Sequence, residues 1–288
     1  MEQVFKTLHK SSNRPDHIWV IFPFAGGSLS AFKSWTSLGD DLLPNNTLIL
    51  LATYPGRDNR MRERPHQHIS DLANNLFNAL INLISHSDLP ANATLRLCGH
   101  SMGAQVAFEV CKQLEEHYGS ATPITQLVLS GCHAPHLESR RTLSHLHNGD
   151  FIDQLIEIGS GSAVLKQHPE LLPVFLPMLR ADFLATESYY SALENAPELR
   201  YTPCTLVFGE SDPEAWNSEV QEWREWLDPA LRTHARVVGI PGDHFYITTS
   251  PATFIRHVIE QTESTTLVRS TPKQTNSANP VRSGEQHG

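Results

Sequence analysis

The feature that most constrains this chain is the pentapeptide Gly-His-Ser-Met-Gly at residues 99–103, which lies between two runs of different periodicity. The preceding residues 94–98 are apolar in the manner of a buried strand, and the following residues place their apolar side chains on one side of a helix. A serine at the centre of G-x-S-x-G in this strand–turn–helix setting adopts a strained backbone conformation that exposes its hydroxyl at the carboxyl end of a sheet. The flanking glycines let the helix and the strand pass closely. The sequence therefore predicts Ser101 as a nucleophile.

Strand-like and helix-like segments alternate along most of the chain, which is typical of a parallel sheet with crossover helices. The predicted strands occupy residues 17–22, 47–53, 94–98, 125–130, 204–209 and 234–240. The predicted helices occupy residues 31–42, 69–86, 102–117, 215–227 and 251–262. A chain of 288 residues, of which 40% are hydrophobic, is large enough to bury the core of one α/β domain. We therefore predict a mostly parallel sheet flanked by helices within residues 1–262.

The alternation breaks between about residues 136 and 200. There, helix-like segments from Phe151 to Ile158 and from Glu170 to Tyr190 are interrupted by a Gly-Ser repeat and by prolines. An insertion after a strand, above the carboxyl edge where Ser101 is expected, is well placed to form a helical lid. The alternative is a helical subdomain that only packs against the sheet. Residues 263–288 are polar and lack periodicity, so we expect a disordered tail.

Composition excludes several classes of protein. The formal net charge of −9 argues against a general nucleic-acid binder, and no apolar run approaches the ~20 residues of a membrane span. The first residues lack the apolar core of a signal peptide, and the scattered cysteines, without a C-x-x-C pair, resemble reduced core thiols. The 16 histidines lack spacings such as H-E-x-x-H. We therefore expect a cytoplasmic protein without a metal site.

A serine hydroxyl becomes a good nucleophile only when a base takes its proton, and the base needs an acid that orients it. Asp212 lies just beyond the fifth predicted strand, and His244 lies just beyond the sixth. The order serine, acid, histidine is that of the α/β-hydrolase fold, in which acid and histidine lie on loops after later strands. We therefore predict Ser101, Asp212 and His244 as a catalytic triad. The alternative acids are Glu210, Glu214 and Asp243.

An oxyanion hole requires two backbone N–H groups. Met102 follows the nucleophile at the predicted start of a helix, where its N–H can stabilise negative charge. The loop after the first predicted strand, residues 22–28, reads Phe-Pro-Phe-Ala-Gly-Gly-Ser, and its glycines allow the backbone to approach a bound carbonyl. The second N–H is assigned to Ala25, with Phe24 as the second choice.

Four ordered segments carry a further signal: residues 22–27, residues 54–60 (Tyr-Pro-Gly-Arg-Asp-Asn-Arg), residues 99–103 and residues 241–245 (Pro-Gly-Asp-His-Phe). With the lid segments at 169–172 and 176–183, they resemble the stand-alone type II thioesterases of nonribosomal peptide and polyketide synthesis, members of the α/β-hydrolase superfamily. The likeness spans about residues 15–260. The chain departs from the family at Glu210, where a smaller residue is expected, and in the length of its tail.

The resemblance implies hydrolysis of acyl or aminoacyl groups from the phosphopantetheine thiol of carrier proteins, which regenerates blocked synthase modules of an antibiotic or siderophore pathway. It implies no cofactor beyond the phosphopantetheine of the substrate, and a monomer whose partners are acyl or peptidyl carrier proteins. The candidate carrier-binding residues are Arg57, Arg60, Arg62 and Arg64, with Arg140 and Arg141 near the lid. The candidate acyl-channel residues, which are equally candidates for the lid core, are Phe175, Leu176, Met178 and Phe183.

Other functions are compatible with parts of the same pattern. One is a small-molecule esterase or acyl-CoA thioesterase with the same fold. Another is a non-catalytic scaffold that binds carriers, although such a protein does not need the complete serine, acid and histidine set. A third, a thioesterase domain cut from a synthase, is weakened because no G-x-D-S-L-like carrier motif lies upstream.

Overall fold

The computed structural model describes residues 4–86, 90, 93–159, 163–195 and 198–266. Within these residues, seven strands form one sheet in the order β1-β3-β2-β4-β5-β6-β7. Their bounds are β1 Phe5–Lys10, β2 His17–Phe22, β3 Thr47–Ala52, β4 Thr94–His100, β5 Ile124–Ser130, β6 Cys204–Gly209 and β7 Arg236–Ile240. Strand β1 pairs antiparallel with β3, and the other neighbouring strands pair in parallel. The mostly parallel sheet confirms the predicted fold class.

Helices cover both faces of this sheet. In the described ranges they are α1 Ile69–His86, α2 Met102–Tyr118, α3 Asn148–Ile158, α4 Ala163–Gln167, α5 Leu172–Glu187, α6 Asn217–Gln221, α7 Pro229–Arg232, α8 Tyr246–Thr249 and α9 Pro251–Thr266. Alternate residues of β2 serve the two faces: Val20 packs in the cluster that contains α1 and α2, whereas Trp19 and Ile21 pack with Phe254 of α9. Burial on both faces is what a parallel sheet requires.

The sequence prediction differs from the structure at several elements. The first strand, β1, was not predicted because it is an edge strand whose buried residues, Phe5 and Leu8, are three positions apart and so lack the two-residue alternation of a half-buried strand. The predicted helix at 31–42 is two 3₁₀ segments, Lys33–Ser37 and Asp40–Leu42. The chain leaves the helical conformation at Leu38, whose ψ is 132°, and the indole N–H of buried Trp35 holds the first segment by donating to the carbonyl of Ile247 at 2.8 Å.

Two further boundaries differ. The predicted helix at 215–227 is the short helix α6 followed by a 3₁₀ segment, Glu222–Trp226. Helix α9 continues past the predicted boundary at residue 262 to Thr266. The rest of the predicted tail, residues 267–288, lies outside the described residues.

The insertion between β5 and β6 contains helices α3, α4 and α5 above the carboxyl edge of the sheet. It has a hydrophobic core of its own, which includes Phe151, Leu155 and Met178. The carboxyl end of α5 is attached to α2, since Thr186 Oγ1 donates to Gln105 Oε1 at 2.8 Å. The insertion is therefore a helical layer that is anchored on the main domain.

Two kinds of feature are absent from the described residues. No helix in that part of the chain combines the length and the apolar character needed to cross a bilayer. Across the same ranges, no cluster of three or more His, Cys, Asp or Glu side chains has the proximity needed to hold a metal ion.

Candidate active site

Ser101 is the single residue between β4 and α2, and its backbone is strained as the motif predicts. Its φ is 55° and its ψ is −126°, a combination that non-glycine residues adopt rarely and at a cost of about 1–3 kcal/mol. A Cβ at Gly99 would overlap the backbone of Gly103, and a Cβ at Gly103 would overlap the carbonyl of Phe22. The N–H of Ser101 donates to the carbonyl of Ser130 at 2.8 Å, which holds the turn against β5. Local crowding thus requires both glycines.

His244 and Asp212 form a buried pair at the same edge of the sheet. The two residues follow β7 and β6, and His244 Nδ1 lies 2.9 Å from Asp212 Oδ2. The other carboxylate oxygen, Oδ1, accepts the backbone N–H groups of Glu214 at 2.8 Å and of Ala215 at 3.2 Å. Because an ionised carboxylate can only accept, Nδ1 carries the proton and Nε2 keeps its lone pair. The imidazole is therefore held in the tautomer that a general base needs.

The three alternative acids have other environments. Asp243 Oδ1 accepts the N–H of Phe245 at 2.9 Å within its own turn. Glu214 pairs with Arg141, its Oε1 lying 2.8 Å from the guanidinium Nη2. Glu210 is exposed at the end of β6. Of the candidate carboxylates, Asp212 is the one that contacts the imidazole of His244.

A small cavity of about 90 Å³ brings the predicted residues together. Ser101 and His244 line it from two loops, and Phe24 and Ala25 line it from the loop after β2. Met102, the residue after the serine, begins α2 and is buried. The first N–H groups of a helix have no partner within the helix and favour negative charge. The backbone around Ser101 therefore contains donors of the kind that an oxyanion requires.

His100 was not predicted to have a role, although it occupies the variable position before the serine. It is fully buried, with Nε2 lying 2.7 Å from the carbonyl oxygen of His244 and Nδ1 lying 3.0 Å from Ser130 Oγ. Ser130 Oγ also contacts the hydroxyl of Tyr246 at 2.6 Å. Burial and the neighbouring imidazole of His244 lower the pKa of His100 well below its usual range. A neutral His100 therefore donates from Nε2 and fixes the backbone of His244.

We expect a His100→Gln variant to lose part of the pH dependence of stability. The unfolded chain gains a proton at residue 100 below about pH 6.5, whereas folded His100 stays neutral, so wild-type stability falls as the pH decreases from there. Above about pH 6.5 residue 100 is neutral in both the folded and the unfolded chain, so its titration does not reduce the free energy of unfolding there. Glutamine does not titrate, so the free energy of unfolding should vary less steeply between pH 6.5 and 5, by up to about 1.4 kcal/mol per pH unit.

Urea unfolding at stepped pH measures this difference. The exposed His68, changed to glutamine, is the matched control for loss of one histidine. Parallel curves of stability against pH for wild type and His100→Gln would contradict the expected result.

The prediction that Arg57 and Arg60 bind a carrier protein is wrong. Arg57 is 2% exposed and Arg60 is 4% exposed, so neither can contribute to a docking surface. Arg60 donates to the carbonyl of Thr53 at 2.7 Å and to Glu63 Oε1 at 2.9 Å. Arg57 forms a bidentate pair with Asp182, 125 residues away. The sequence shows that residue 57 is charged, but it does not show that Asp182 lies beside it and allows it to be buried.

The other predicted basic residues lie at the surface or near the cavity. Arg62 and Arg64 are exposed. Arg140 and Arg141 line the small cavity beside the insertion. Arg140 pairs with Glu219 at 2.7 Å.

The predicted acyl-channel residues occupy three different environments. Phe175 and Met178 line a second, larger cavity of about 730 Å³ between the insertion and the sheet domain. Phe183 lines the small cavity that contains Ser101. Leu176 is buried in the hydrophobic core of the insertion and is lid core.

The fold and this arrangement of side chains define an α/β-hydrolase with a helical insertion over its site. The chain belongs to the thioesterase domain family, which matches residues 18–262. It is 36% identical over 249 residues to the probable anguibactin biosynthesis thioesterase AngT of Vibrio anguillarum, with 86% of this chain and 92% of AngT covered.

Solved structures of thioesterases are also similar to this chain. YbtT, a type II thioesterase from the yersiniabactin NRPS/PKS pathway, is 41% identical and has a TM-score of 0.77, covering 89% of this chain and 97% of that one. RedJ, a thioesterase from the prodiginine pathway of Streptomyces coelicolor, is 29% identical and has a TM-score of 0.69, covering 86% and 88% of the two chains. The family and the fold together make the protein a thioester hydrolase.

Proposed function

We propose that this protein is a serine thioesterase that removes acyl or aminoacyl groups from the phosphopantetheine thiol of carrier proteins and so regenerates blocked synthase modules. The observation that carries the proposal is the His244–Asp212 pair, 2.9 Å apart, at a cavity that Ser101 also lines. The names of AngT and YbtT, which place those proteins in anguibactin and yersiniabactin biosynthesis, support a synthase carrier as the partner. We further propose that it acts as a cytoplasmic monomer.

In the first half of the reaction, the Ser101 oxygen attacks the thioester carbonyl carbon while His244 Nε2 takes the hydroxyl proton. Asp212 stabilises the resulting imidazolium through Nδ1. The N–H groups of Met102 and Ala25 bind the oxyanion, and one such donor is worth about 3–4 kcal/mol. The carbon–sulfur bond then breaks. Because a thiol has a pKa of about 8.5, the leaving group departs as a thiolate with little help from an acid. It then takes the proton from His244 Nε2, so that the thiol leaves and the imidazole is neutral again before water attacks.

In the second half, water replaces the thiol. His244 Nε2 takes a proton from the water as its oxygen attacks the acyl carbon, and the same N–H groups bind the second oxyanion. Collapse of this intermediate breaks the bond to Ser101 Oγ, which takes the proton back from His244. The products are a free acid and the regenerated serine.

The two cavities suit two different parts of the substrate, the thioester carbonyl and the acyl chain. The small cavity holds the reacting carbonyl near Ser101. The larger cavity, lined by apolar residues such as Phe175 and Met178, has room for an acyl chain. Phe24 and Phe245 line both cavities, and their rings form an edge-to-face pair with centroids 5.1 Å apart. We propose that an acyl chain lies along this aromatic pair.

Carrier docking requires a local positive surface, because carrier proteins are typically acidic and this chain has a formal net charge of −9. With Arg57 and Arg60 buried, we propose that the exposed Arg62 and Arg64 contribute to it. Arg140 and Arg141 are placed beside the catalytic cavity, where a phosphopantetheine arm would pass.

A substrate panel tests the function. Acyl-carrier protein, acyl-CoA and p-nitrophenyl esters with the same acyl group should show the highest kcat/KM for the acyl-carrier protein. The double variant Arg62→Glu, Arg64→Glu should raise KM for that substrate about tenfold relative to acyl-CoA, which corresponds to about 1.4 kcal/mol. A clear preference for simple esters or for acyl-CoA would favour the alternative functions, and a variant with unchanged selectivity would exclude this surface.

A further inference from the structure

A carboxylate of the insertion contacts the loop that supplies the proposed oxyanion donor. This oxyanion loop is residues 22–28. Asp182, on α5, accepts the backbone N–H of Gly26 through Oδ2 at 2.8 Å. The same carboxylate binds Arg57, with Nη1 to Oδ2 at 2.7 Å and Nη2 to Oδ1 at 2.6 Å. Arg57 Nη1 also donates to the carbonyl of Gly27 at 3.2 Å. The pair therefore holds two consecutive residues of the oxyanion loop.

The peptide group that Asp182 binds is the one that decides the type of turn. Gly27 N–H donates to the carbonyl of Phe24 at 2.8 Å, and Gly26 has a φ of +76°. These values describe a type II turn with Ala25 and Gly26 at its centre, which differs from type I mainly by a flip of the central peptide. The N–H of that central peptide is the group that donates to Asp182. By accepting this N–H, the Asp182 carboxylate selects one of the two orientations of the peptide group between Ala25 and Gly26, next to the N–H of Ala25.

Helix α5 also rests directly on the oxyanion loop. A Cβ at Gly26 would lie 2.6 Å from Leu179 Cδ2, so the absence of a side chain allows this approach. The ion pair is closed to water, since the side chains of Arg57 and Asp182 are 3% and 1% exposed. A buried ion pair is often no more stabilising than apolar residues of the same volume. Packing alone therefore does not account for it.

We propose that Asp182 and Arg57 are positioning residues that couple the insertion to the oxyanion hole. The N–H of Ala25 is aligned with the oxyanion only while α5 is seated on the oxyanion loop. This inference rests on the proposed roles of Ser101 and Ala25. It predicts that a change at Asp182 affects the tetrahedral intermediate rather than binding of the substrate, because Asp182 is not among the residues that line the small or the larger cavity.

The Asp182→Asn variant tests the coupling. The carboxylate accepts three N–H groups through its two oxygens. Asparagine keeps one oxygen, which can accept only two of them, and its NH₂ group faces a guanidinium N–H, so the turn is held less firmly. With an acyl-N-acetylcysteamine thioester, kcat should fall about 10- to 100-fold while KM stays within about threefold. The loss is smaller than the roughly 10²- to 10³-fold cost of removing one oxyanion donor, because the N–H of Ala25 is misaligned rather than absent. An alkyl boronic acid, which forms a tetrahedral adduct on the serine, should lose affinity by a similar factor. Arg57→Lys, which keeps the charge but not the bidentate geometry, should lie between this variant and wild type.

The matched control is Arg180→Gln. Arg180 lies on the same helix and holds the insertion together by donating to the carbonyls of Ser144 at 2.6 Å and Leu146 at 2.7 Å, without a contact to the oxyanion loop. Its kcat and boronic acid affinity should stay within about threefold of wild type. The double variant Arg57→Leu, Asp182→Leu removes the pair without leaving a buried lone charge. It should fold and show the same kcat loss as Asp182→Asn.

Hydrogen exchange of the oxyanion loop gives a readout that is independent of turnover. The backbone amides of residues 24–28 should exchange faster in Asp182→Asn than in wild type, and at the wild-type rate in Arg180→Gln. The proposal is overturned if Asp182→Asn keeps kcat and adduct affinity within about twofold of wild type, or if Arg180→Gln loses them equally. A wild-type protein that hydrolyses no thioester would instead refute the proposed function, while exchange at the oxyanion loop would still test the coupling.

Discussion

Replacing Ser101 with alanine is expected to abolish thioester hydrolysis, with a loss in kcat of about 10⁵-fold or more, as for removal of the nucleophile in other serine hydrolases. The variant loses the oxygen that forms the acyl-enzyme, and the remaining N–H groups and imidazole have no nucleophile to assist. Folding should be unaffected, since alanine keeps the Cβ that already tolerates a φ of 55° at this position. Steady-state turnover of acyl-carrier protein and thermal unfolding measure the two effects.

Labelling with a fluorophosphonate identifies the serine directly. Wild-type protein should gain one adduct by intact mass, located at Ser101, and Ser101→Ala should gain none. Ser211→Ala, at an exposed serine next to Asp212, is the control and should keep both turnover and the adduct. An unlabelled wild-type protein would favour a non-catalytic carrier-binding scaffold. Turnover close to wild type in Ser101→Ala would refute its role as nucleophile.

Replacing Asp212 with asparagine is expected to lower kcat about 10⁴-fold, the size of the same change in a serine protease triad. The local hydrogen bonds explain why. The N–H groups of Glu214 and Ala215 donate to Oδ1, so the amide oxygen of the new asparagine remains there. Its NH₂ group then faces Nδ1 of His244, which must accept rather than donate. The proton moves to Nε2, and the base that Ser101 needs is lost.

The matched control is Asp243→Asn, one residue before His244. This carboxylate accepts the N–H of Phe245 and is exposed, so turnover should stay within about threefold of wild type. Turnover measured against pH gives a further check, because the Asp212→Asn loss should persist across the range in which the protein is folded. If kcat falls less than tenfold in Asp212→Asn, or falls equally in Asp243→Asn, Asp212 is not the acid of the triad.

The parts of the site that sequence analysis predicted are those whose geometry follows from local or topological rules. The turn around Ser101 is set partly within the pentapeptide, since a Cβ at Gly99 would overlap the backbone of Gly103, and partly by the adjacent strand β2, since a Cβ at Gly103 would overlap the carbonyl of Phe22. Asp212 and His244 follow β6 and β7, which are adjacent and parallel, so their loops meet at one edge of the sheet. That topology brings together residues that are far apart in the chain.

The parts that were missed depend on packing between distant segments. His100 reads as a variable position of a motif until its Nε2 is seen against the carbonyl of His244, 144 residues away. The edge strand β1 has too few buried residues to be distinguished from a loop by pattern alone. Its assignment depends on pairing with β3.

The sequence by itself determined the fold class, the nucleophile turn and the order of the three catalytic candidates, because periodicity and the steric demands of glycine are written in neighbouring residues. Tertiary structure alone decided which charges are available. Arg57 and Arg62 have the same side chain in the same loop, yet one is sealed against Asp182 and the other is exposed. The difference arises because burial of a charge requires a partner, and the position of that partner is set by long-range packing.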